Sequence, residues 1–231
     1  MIFFVRRGLP KKSYNPVFSE NEWADIIEAC HANEVPDTWV ADGTCYKDMD
    51  IGGTPYRIDI IGKNHDDLAD GTGKAPLTFQ LHDCYDEAKQ MNSFNTNSGG
   101  WTNCAMRSTH LPAILNLMPA EVKAAIRDVQ KKSSAGNQSS SIQTTNDKLF
   151  LLSEIEIFGS TPYSFAGEGK QYAYYQAGNS KVKNLSGSAG PWWERSPRSS
   201  DSTLFCSVGS SGIAVATSAS YSRGVAFGFC F

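Results

Sequence analysis

Residues 192–231 read WWERSPRSSDSTLFCSVGSSGIAVATSASYSRGVAFGFCF. Both edges of this stretch are aromatic and apolar, while its middle is almost entirely Ser, Thr, Gly and Ala. On an extended chain, neighbours such as Trp192 and Trp193 face opposite sides, so one can enter a core while the other stays exposed. Arg195 then has Glu194 and nearby loop carbonyls as partners, and WWERSP reads as a scaffold anchor. Short strands are expected around Phe205, Val208, Val215 and residues 225–231.

The rest of the chain supports a folded domain around that anchor. Among 231 residues, 40% are hydrophobic and 11% aromatic, enough for a substantial core. Lys and Arg number 21 against 24 Asp and Glu, a formal charge of −3, which implies no basic field for nucleic acid. The small cluster Arg6, Arg7, Lys11 and Lys12 reads as a solvated end. No apolar stretch reaches the roughly 20 residues of a membrane span. MIFFVRRGLP has its charges after its apolar residues and is too short for a secretion signal. The chain is therefore expected to be made in the cytoplasm, with residues 1–18 as an arm or tether and residues 19–231 as the domain. Six cysteines, Cys30, Cys45, Cys84, Cys104, Cys206 and Cys230, show no metal-finger spacing and read as packed thiols.

SENEWADIIEACHAN predicts an amphipathic helix. Ser19 and Glu22 have capping-box spacing, and Trp23, Ile26, Ile27 and Cys30 form its apolar face. Asp-Gly and Gly-Gly turns then separate short strands, of which YRIDIIG alternates cleanly. LPAILNLMPAEVKAAIRDVQKK predicts the second main helix, with Val122, Ala125, Ile126 and Val129 on one face. SSAGNQSSSIQTTN reads as a polar loop, and KLFLLSEIEIFG as the strongest strand. The sum is an α+β domain, loop-rich, with short antiparallel strands and two main helices.

Asp66, Asp67 and Asp70 in NHDDLADGTGK are oxygen-rich and would suit Ca²⁺, but the spacing of a calcium-binding loop is absent, so they read as a turn network. His31, His65, His82 and His110 offer bases, yet no nucleophile elbow accompanies them. Cys206 and Cys230 flank the terminal segment and admit a two-cysteine redox site; packing is the plainer reading. Trp101 and Arg107 in GGWTNCAMRSTHLP suit loop-holding roles.

NHDDLADGTGKAPLTFQL, MNSFNTNSGGWTNCAMR, DKLFLLSEIEIFG, WWERSP and SRGVAFGFCF, taken in order, resemble one domain family of bacterial surface and phage or prophage tail proteins. Its ending resembles the C-type-lectin-like fold shared with formylglycine-generating enzymes and with the variable proteins of diversity-generating retroelements, the major tropism determinant type. The resemblance implies a receptor-binding display protein for host attachment, carried on a virion tail or bacterial surface structure. Its partners would be a bacterial cell-surface protein or glycan, neighbouring tail subunits and two further copies in a homotrimer. It implies a display surface made of Arg198, Ser199, Asp201, Ser202, Thr203, Ser207, Ile213, Val215, Thr217, Ser220, Tyr221, Ser222 and Arg223. Trp192, Trp193, Phe205, Phe227 and Phe229 would be its scaffold. It implies no catalysis, cofactor or metal. The alternatives are a formylglycine-generating enzyme using Cys206 and Cys230, or a structural surface module without diversification.

Overall fold

The computed structural model describes residues 12–231. Residues 1–11, with Arg6, Arg7, Lys11 and most of the expected arm, lie outside the described residues. The rest of that arm docks onto the domain. The Asn15 carbonyl accepts a 3.1 Å hydrogen bond from Trp39 Nε1, and Phe18 packs edge-on against Trp39 at 5.2 Å.

Along the chain, α1 (Trp23–His31) precedes β1 (Tyr46–Ile51), β2 (Thr54–Lys63), β3 (Leu77–Leu81) and β4 (Tyr85–Lys89). Short helices α2 (Gly100–Asn103), α3 (Leu111–Leu115) and α4 (Ala120–Ala125) follow, and then strands β5 (Val129–Gly136) and β6 (Ser139–Asp147). Next come α5 (Glu154–Phe158), α6 (Ala173–Gln176), β7 (Lys183–Leu185) and β8 (Ser188–Gly190). The last forty residues hold β9 (Trp192–Pro197), β10 (Leu204–Val208), β11 (Ala214–Ser218), β12 (Arg223–Val225) and β13 (Gly228–Cys230). The domain is α+β. One sheet has the order β1-β2-β3-β13, another the order β11-β10-β9-β12-β4, and β5–β6 and β7–β8 are separate hairpins.

Four expectations about local structure are corrected. Ser19 lies inside a 3-10 turn, Phe18–Glu20, so the cap falls on Glu22 without a side-chain bond; the buried face of Trp23, Ile26 and Cys30 forms as expected. The single helix expected from residue 111 is broken. Pro119 stands at ψ 139° as the N-cap of α4, and Ile126 leaves the helix at ψ 123°. The chain beyond it runs as a strand, and the supposed polar loop is the β5–β6 hairpin. Its turn uses Asn137 and Gln138 at φ 50° and 60°, the left-handed pair that a two-residue hairpin favours. The supposed strand at residues 148–159 is extended only as far as Ser153. There a capping box between Ser153 and Glu156 starts α5, and Gly159 at φ 71° ends it.

The chain's last residues close the core. Phe229 stacks on Phe79 with ring centroids 5.1 Å apart, and Phe231 meets Phe79 at 5.3 Å and Trp23 of α1 at 6.1 Å. The beginning and end of the domain are thereby held in one aromatic cluster. Trp192 and Trp193 are both fully buried, correcting the expectation that one is exposed. Each indole N–H finds a carbonyl, Lys181 for Trp192 at 2.9 Å and Lys89 for Trp193 at 2.8 Å, so both faces of β9 are covered.

A charged cluster lies inside this hydrophobic shell. Arg195 partners Glu156, not the adjacent Glu194, through Nη1 at 2.5 Å and Nη2 at 2.8 Å. Its remaining donors reach the carbonyls of Lys132, Leu151 and Glu168, so every N–H of the guanidinium is used. Lys131 Nζ bridges Glu156 at 2.8 Å and Asp66 at 2.7 Å, and Tyr172 and Thr78 hydroxyls donate to Asp66. Two carboxylates and two cations make the cluster neutral, which is what a dry interior tolerates. Burial alone would raise the Asp66 carboxyl, but the charge and hydrogen bonds of Lys131 and the Thr78 hydroxyl hold it down at about 2.

A group whose folded pKa lies below its unfolded value stabilises the fold above the unfolded pKa and loses that contribution on acidification. Denaturant unfolding should therefore show about 2 kcal/mol lost as pH falls from about 4 to about 2, through the Asp66 values of 3.8 unfolded and about 2 folded. Lys131→Met should cost about 3–5 kcal/mol at neutral pH and show little of this acid limb. Wild-type stability in Lys131→Met would contradict the cluster's role.

Candidate functional site: a three-loop crown

The expected display positions divide by the element that carries them. Ser207 and Thr217 lie within strands and are buried, with their hydroxyls 3.1 Å apart. These two are corrected from display to interior, because this face of β10 and β11 is covered. Val215, also on a strand, is half-buried. The turn-borne positions are reachable. Arg198, Ser199, Asp201, Ser202, Thr203, Ser220 and Arg223 are half-buried, and Tyr221 and Ser222 are exposed.

Register separates Ile213 from the rest. Leu204 pairs with Ser218 at one end of the β10–β11 hairpin, and Val208 with Ala214 at the other. The turns at 198–203 and 219–222 therefore share one end of the sheet. Ile213, 59% exposed, sits at the opposite end, roughly 13 Å away along the strands. The continuous surface is smaller than the expected display set.

A third segment completes that surface. The Ala219 carbonyl accepts from the Met91 and Asn92 N–H groups, at 3.0 and 3.1 Å, and Gln90 Nε2 donates to the Ser220 carbonyl at 2.5 Å. Buried Asn97 donates through Nδ2 to the carbonyls of Asp201 and Leu204, both at 2.7 Å, and its backbone N–H reaches Ser202. Asn97 Oδ1 accepts from the Asn137 N–H at 2.7 Å, fastening the arrangement to the β5–β6 hairpin. Gly136 makes this approach feasible: at φ 70°, a Cβ there would lie 1.8 Å from the Asn97 carbonyl oxygen. Asp201 Oδ1 accepts from the Thr203 N–H and hydroxyl, and the Ala219 N–H donates to the Thr203 carbonyl, closing the two turns on each other.

The result is a crown of residues 90–97, 198–204 and 218–223, displaying Ser, Asn, Tyr and Arg. Phe94 is its most exposed large side chain at 79%, and Tyr221 follows at 57%. Arg198 lies over the Tyr163 ring at 5.1 Å, and Arg223 over the Tyr221 ring at 5.7 Å. Arg223 Nε is buried without a hydrogen-bond partner among the described residues, a donor held ready for an added acceptor. Sequence reading missed Phe94, Asn97 and Tyr163. A lone Phe within the polar run MNSFNTNSG was the available signal, since nothing periodic draws that ring inward. Trp192, Trp193, Phe205, Phe227 and Phe229 are all fully buried.

The other sequence candidates are drawn into the framework. Asp66 belongs to the ionic cluster, Asp67 pairs with Lys74 at 2.7 Å, and Asp70 accepts from Thr72 and Arg127. His82 Nδ1 lies 2.6 Å from buried Asp59, which also holds Arg57; His65 stacks on Tyr172 at 4.0 Å; and the His31 ring meets the Ala125 carbonyl. Trp101 and Arg107 both clamp Asp147, at 2.9 and 2.6 Å. A polar cleft of about 530 Å³ lies over the ionic cluster, lined by His65, Asp66, Lys131, Glu156 and Glu168. Burial pushes the Glu168 carboxyl up to about 7 in spite of hydrogen bonds from the Ser134 N–H and the Ser196 hydroxyl. All six cysteines are buried and free. Cys206 and Cys230 stand in different sheets; Cys230 Sγ faces Thr78 and Asp66, so the two do not form one site.

Residues 76–230 match the family described as a domain of unknown function, DUF6273. That span runs from the start of β3 to β13 and holds the whole crown, together with every member of the ionic cluster except Asp66. No curated protein and no solved structure matches the chain.

The crown's shape should depend on Asn97 more than on the residues it shows to solvent. Asn97→Ala should cost about 1–3 kcal/mol in thermal or denaturant unfolding and speed amide exchange at Asn137, whose N–H loses its acceptor Oδ1. Ser220→Ala and Ser222→Ala should stay within about 0.5 kcal/mol. Equal effects at all three positions would contradict this division.

Proposed function

The chain belongs to the DUF6273 family, a description that assigns no activity; from the crown's chemistry we propose that it is a binding module. In this reading it is a C-type-lectin-like display domain of a phage tail or bacterial surface structure, and the crown contacts a protein or glycan of a bacterial envelope. The observation that carries the proposal is the lacing of three loops, through Asn97 and the Ala219 carbonyl, into one preformed surface of small polar residues with Tyr, Phe and Arg at its edge. Ser and Asn give adaptable hydrogen bonding, while Tyr and Arg supply most of the energy at such surfaces. The packing of Trp23 of α1 against Phe231, and the segment 192–231 that runs through both large sheets, support the lectin-like part of the reading. Diversification by a retroelement would act on the turn-borne positions, where side chains change at little folding cost.

A preformed surface should bind with little backbone movement. Binding of purified protein to bacterial cells or envelope fractions should fall at least ~30-fold in Arg198→Ala/Tyr221→Ala/Arg223→Ala, with circular dichroism unchanged. Phe94→Ala alone should weaken binding, and Ile213→Ala, at the far end of the hairpin, should not. Equal binding by the triple variant, or loss only in Ile213→Ala, would place the contact elsewhere.

A further inference from the structure

Beneath the crown, where β9, β10 and the first turn of α5 meet, three side chains converge in the dry interior. Glu154, Glu194 and Cys206 are each fully buried, and a carboxylate oxygen from each Glu and the Cys206 sulfur all lie within 4.8 Å of one another. The backbone brings them together. Trp193 opposes Ser207 and Pro197 opposes Phe205, with a bulge between, so Cys206 stands across from the stretch that begins at Glu194. The Glu154 N–H donates to the Ser196 hydroxyl at 3.0 Å, which ties the start of α5 to β9.

The three groups differ in how they are satisfied. Glu154 accepts from the N–H groups of Tyr163 and Ser164 and from the Ser164 hydroxyl. Neither oxygen of Glu194 has a hydrogen-bond partner among the described residues. The neighbouring cation cannot supply one, because Arg195 spends its donors on Glu156 and on three carbonyls. Burial, with the charges of Glu154 and Glu168 added, pushes the Glu194 carboxyl well above the usual range; burial and Glu194 do the same to the Cys206 thiol. An orphaned carboxyl in a dry core calls for a partner that the chain does not provide.

We propose that this pocket is a structural site for a divalent ion of the zinc class, held by Cys206 Sγ and by the carboxylates of Glu194 and Glu154. A thiolate ligand selects zinc over calcium or magnesium, which take oxygen ligands and, for magnesium, retain water that this pocket does not admit. Both Glu194 oxygens are free to chelate, which with Cys206 and Glu154 completes four-coordination. Around zinc at its usual bond lengths, ligand atoms from different residues stand about 3.5 Å apart, against present separations of up to 4.8 Å among Glu154, Glu194 and Cys206. The ion's two positive charges meet the Cys206 thiolate and the Glu194 and Glu154 carboxylates, any proton on these ligands leaves to solvent on binding, and Glu154 keeps the N–H donors it already has. The site is closed to solvent, so loading accompanies folding. Its consequence lies above it, since the ion would pin together β9 and β10 at the root of the 198–204 loop.

The test is to unfold the purified chain in denaturant with a chelator, remove the chelator, and refold with zinc, with cobalt or with neither. Elemental mass spectrometry of the desalted protein should show stoichiometric zinc. The cobalt form should show a thiolate-to-metal charge-transfer band, and the metal-loaded form should melt above the chelator-treated form, because binding to the folded state alone adds stability. Glu194→Leu and Cys206→Ala should each lose the metal, the band and the melting shift. Glu194→Leu removes an orphaned acid from an apolar setting, so its fold is retained, as circular dichroism would check. The proposal is overturned if wild type refolds metal-free with the same melting point in zinc and in chelator. An infrared carboxylic-acid band that vanishes in Glu194→Leu would then identify a buried neutral acid. It is also overturned if both variants keep stoichiometric metal.

Discussion

The paired hydrogen bonds from Arg195 to Glu156 are the constraint on which the rest of the molecule depends. Arg195 comes from β9 and Glu156 from α5, and the carbonyls that complete the guanidinium come from Lys132, Leu151 and Glu168. One side chain therefore fixes a central strand, a helix, a hairpin and a loop. Lys131 extends the cluster to Asp66, 65 residues earlier in the chain. Such a cluster is weak evidence for high stability, since an apolar replacement of the whole set can serve as well. Its effect is specificity. No member can leave without stranding a partner's charge in the core, so the layout around it has one arrangement.

That layout explains how a bland sequence can lie between aromatic edges. The edges are wholly interior: Trp192, Trp193, Phe227 and Phe229 have essentially no exposure. They are held by indole hydrogen bonds, ring contacts and the ion cluster, none of which uses a crown side chain. The crown itself is shaped mostly through backbone carbonyls and N–H groups, those of Asp201, Ser202, Leu204, Ala219 and Ser220. Backbone lacing is indifferent to what the side chains at Ser220, Ser222 or Tyr221 happen to be. A surface built this way can vary in chemistry while keeping its shape, which is the property that a display function needs.

Much of this was legible in the sequence, wherever the deciding contacts are local. The apolar spacing of Trp23, Ile26 and Cys30 gave α1, and the alternation of YRIDIIG gave β2, although that strand is buried on both faces over residues 58–62 instead of being half-buried. The same local reading failed where the partner is distant. Lys131 fell in the stretch read as the second main helix, but it is buried on β5 by Asp66 and Glu156, and nothing near it in sequence announces them. Two capping-box patterns also met opposite fates. Ser153 and Glu156 form theirs, while Ser19 and Glu22 do not, because a 3-10 turn had already taken Ser19. The extent of the crown was hidden for another reason. Strand register put Ile213 at the far end of the hairpin and drew in Phe94 and Asn97 from a hundred residues away, and composition carries no record of register.

The central claim is that the buried framework sets the fold independently of the crown's exposed side chains. The most direct measurement compares denaturant unfolding of two proteins with wild type. In one, Phe94, Ser202, Ser220, Tyr221 and Ser222 are all replaced together by Asn; in the other, only Arg195 is changed, to Leu. The account predicts that the five-site variant keeps its unfolding free energy within about 1 kcal/mol, whereas Arg195→Leu loses about 3–5 kcal/mol by stranding Glu156. A five-site variant as destabilised as Arg195→Leu, or an Arg195→Leu protein as stable as wild type, would contradict it.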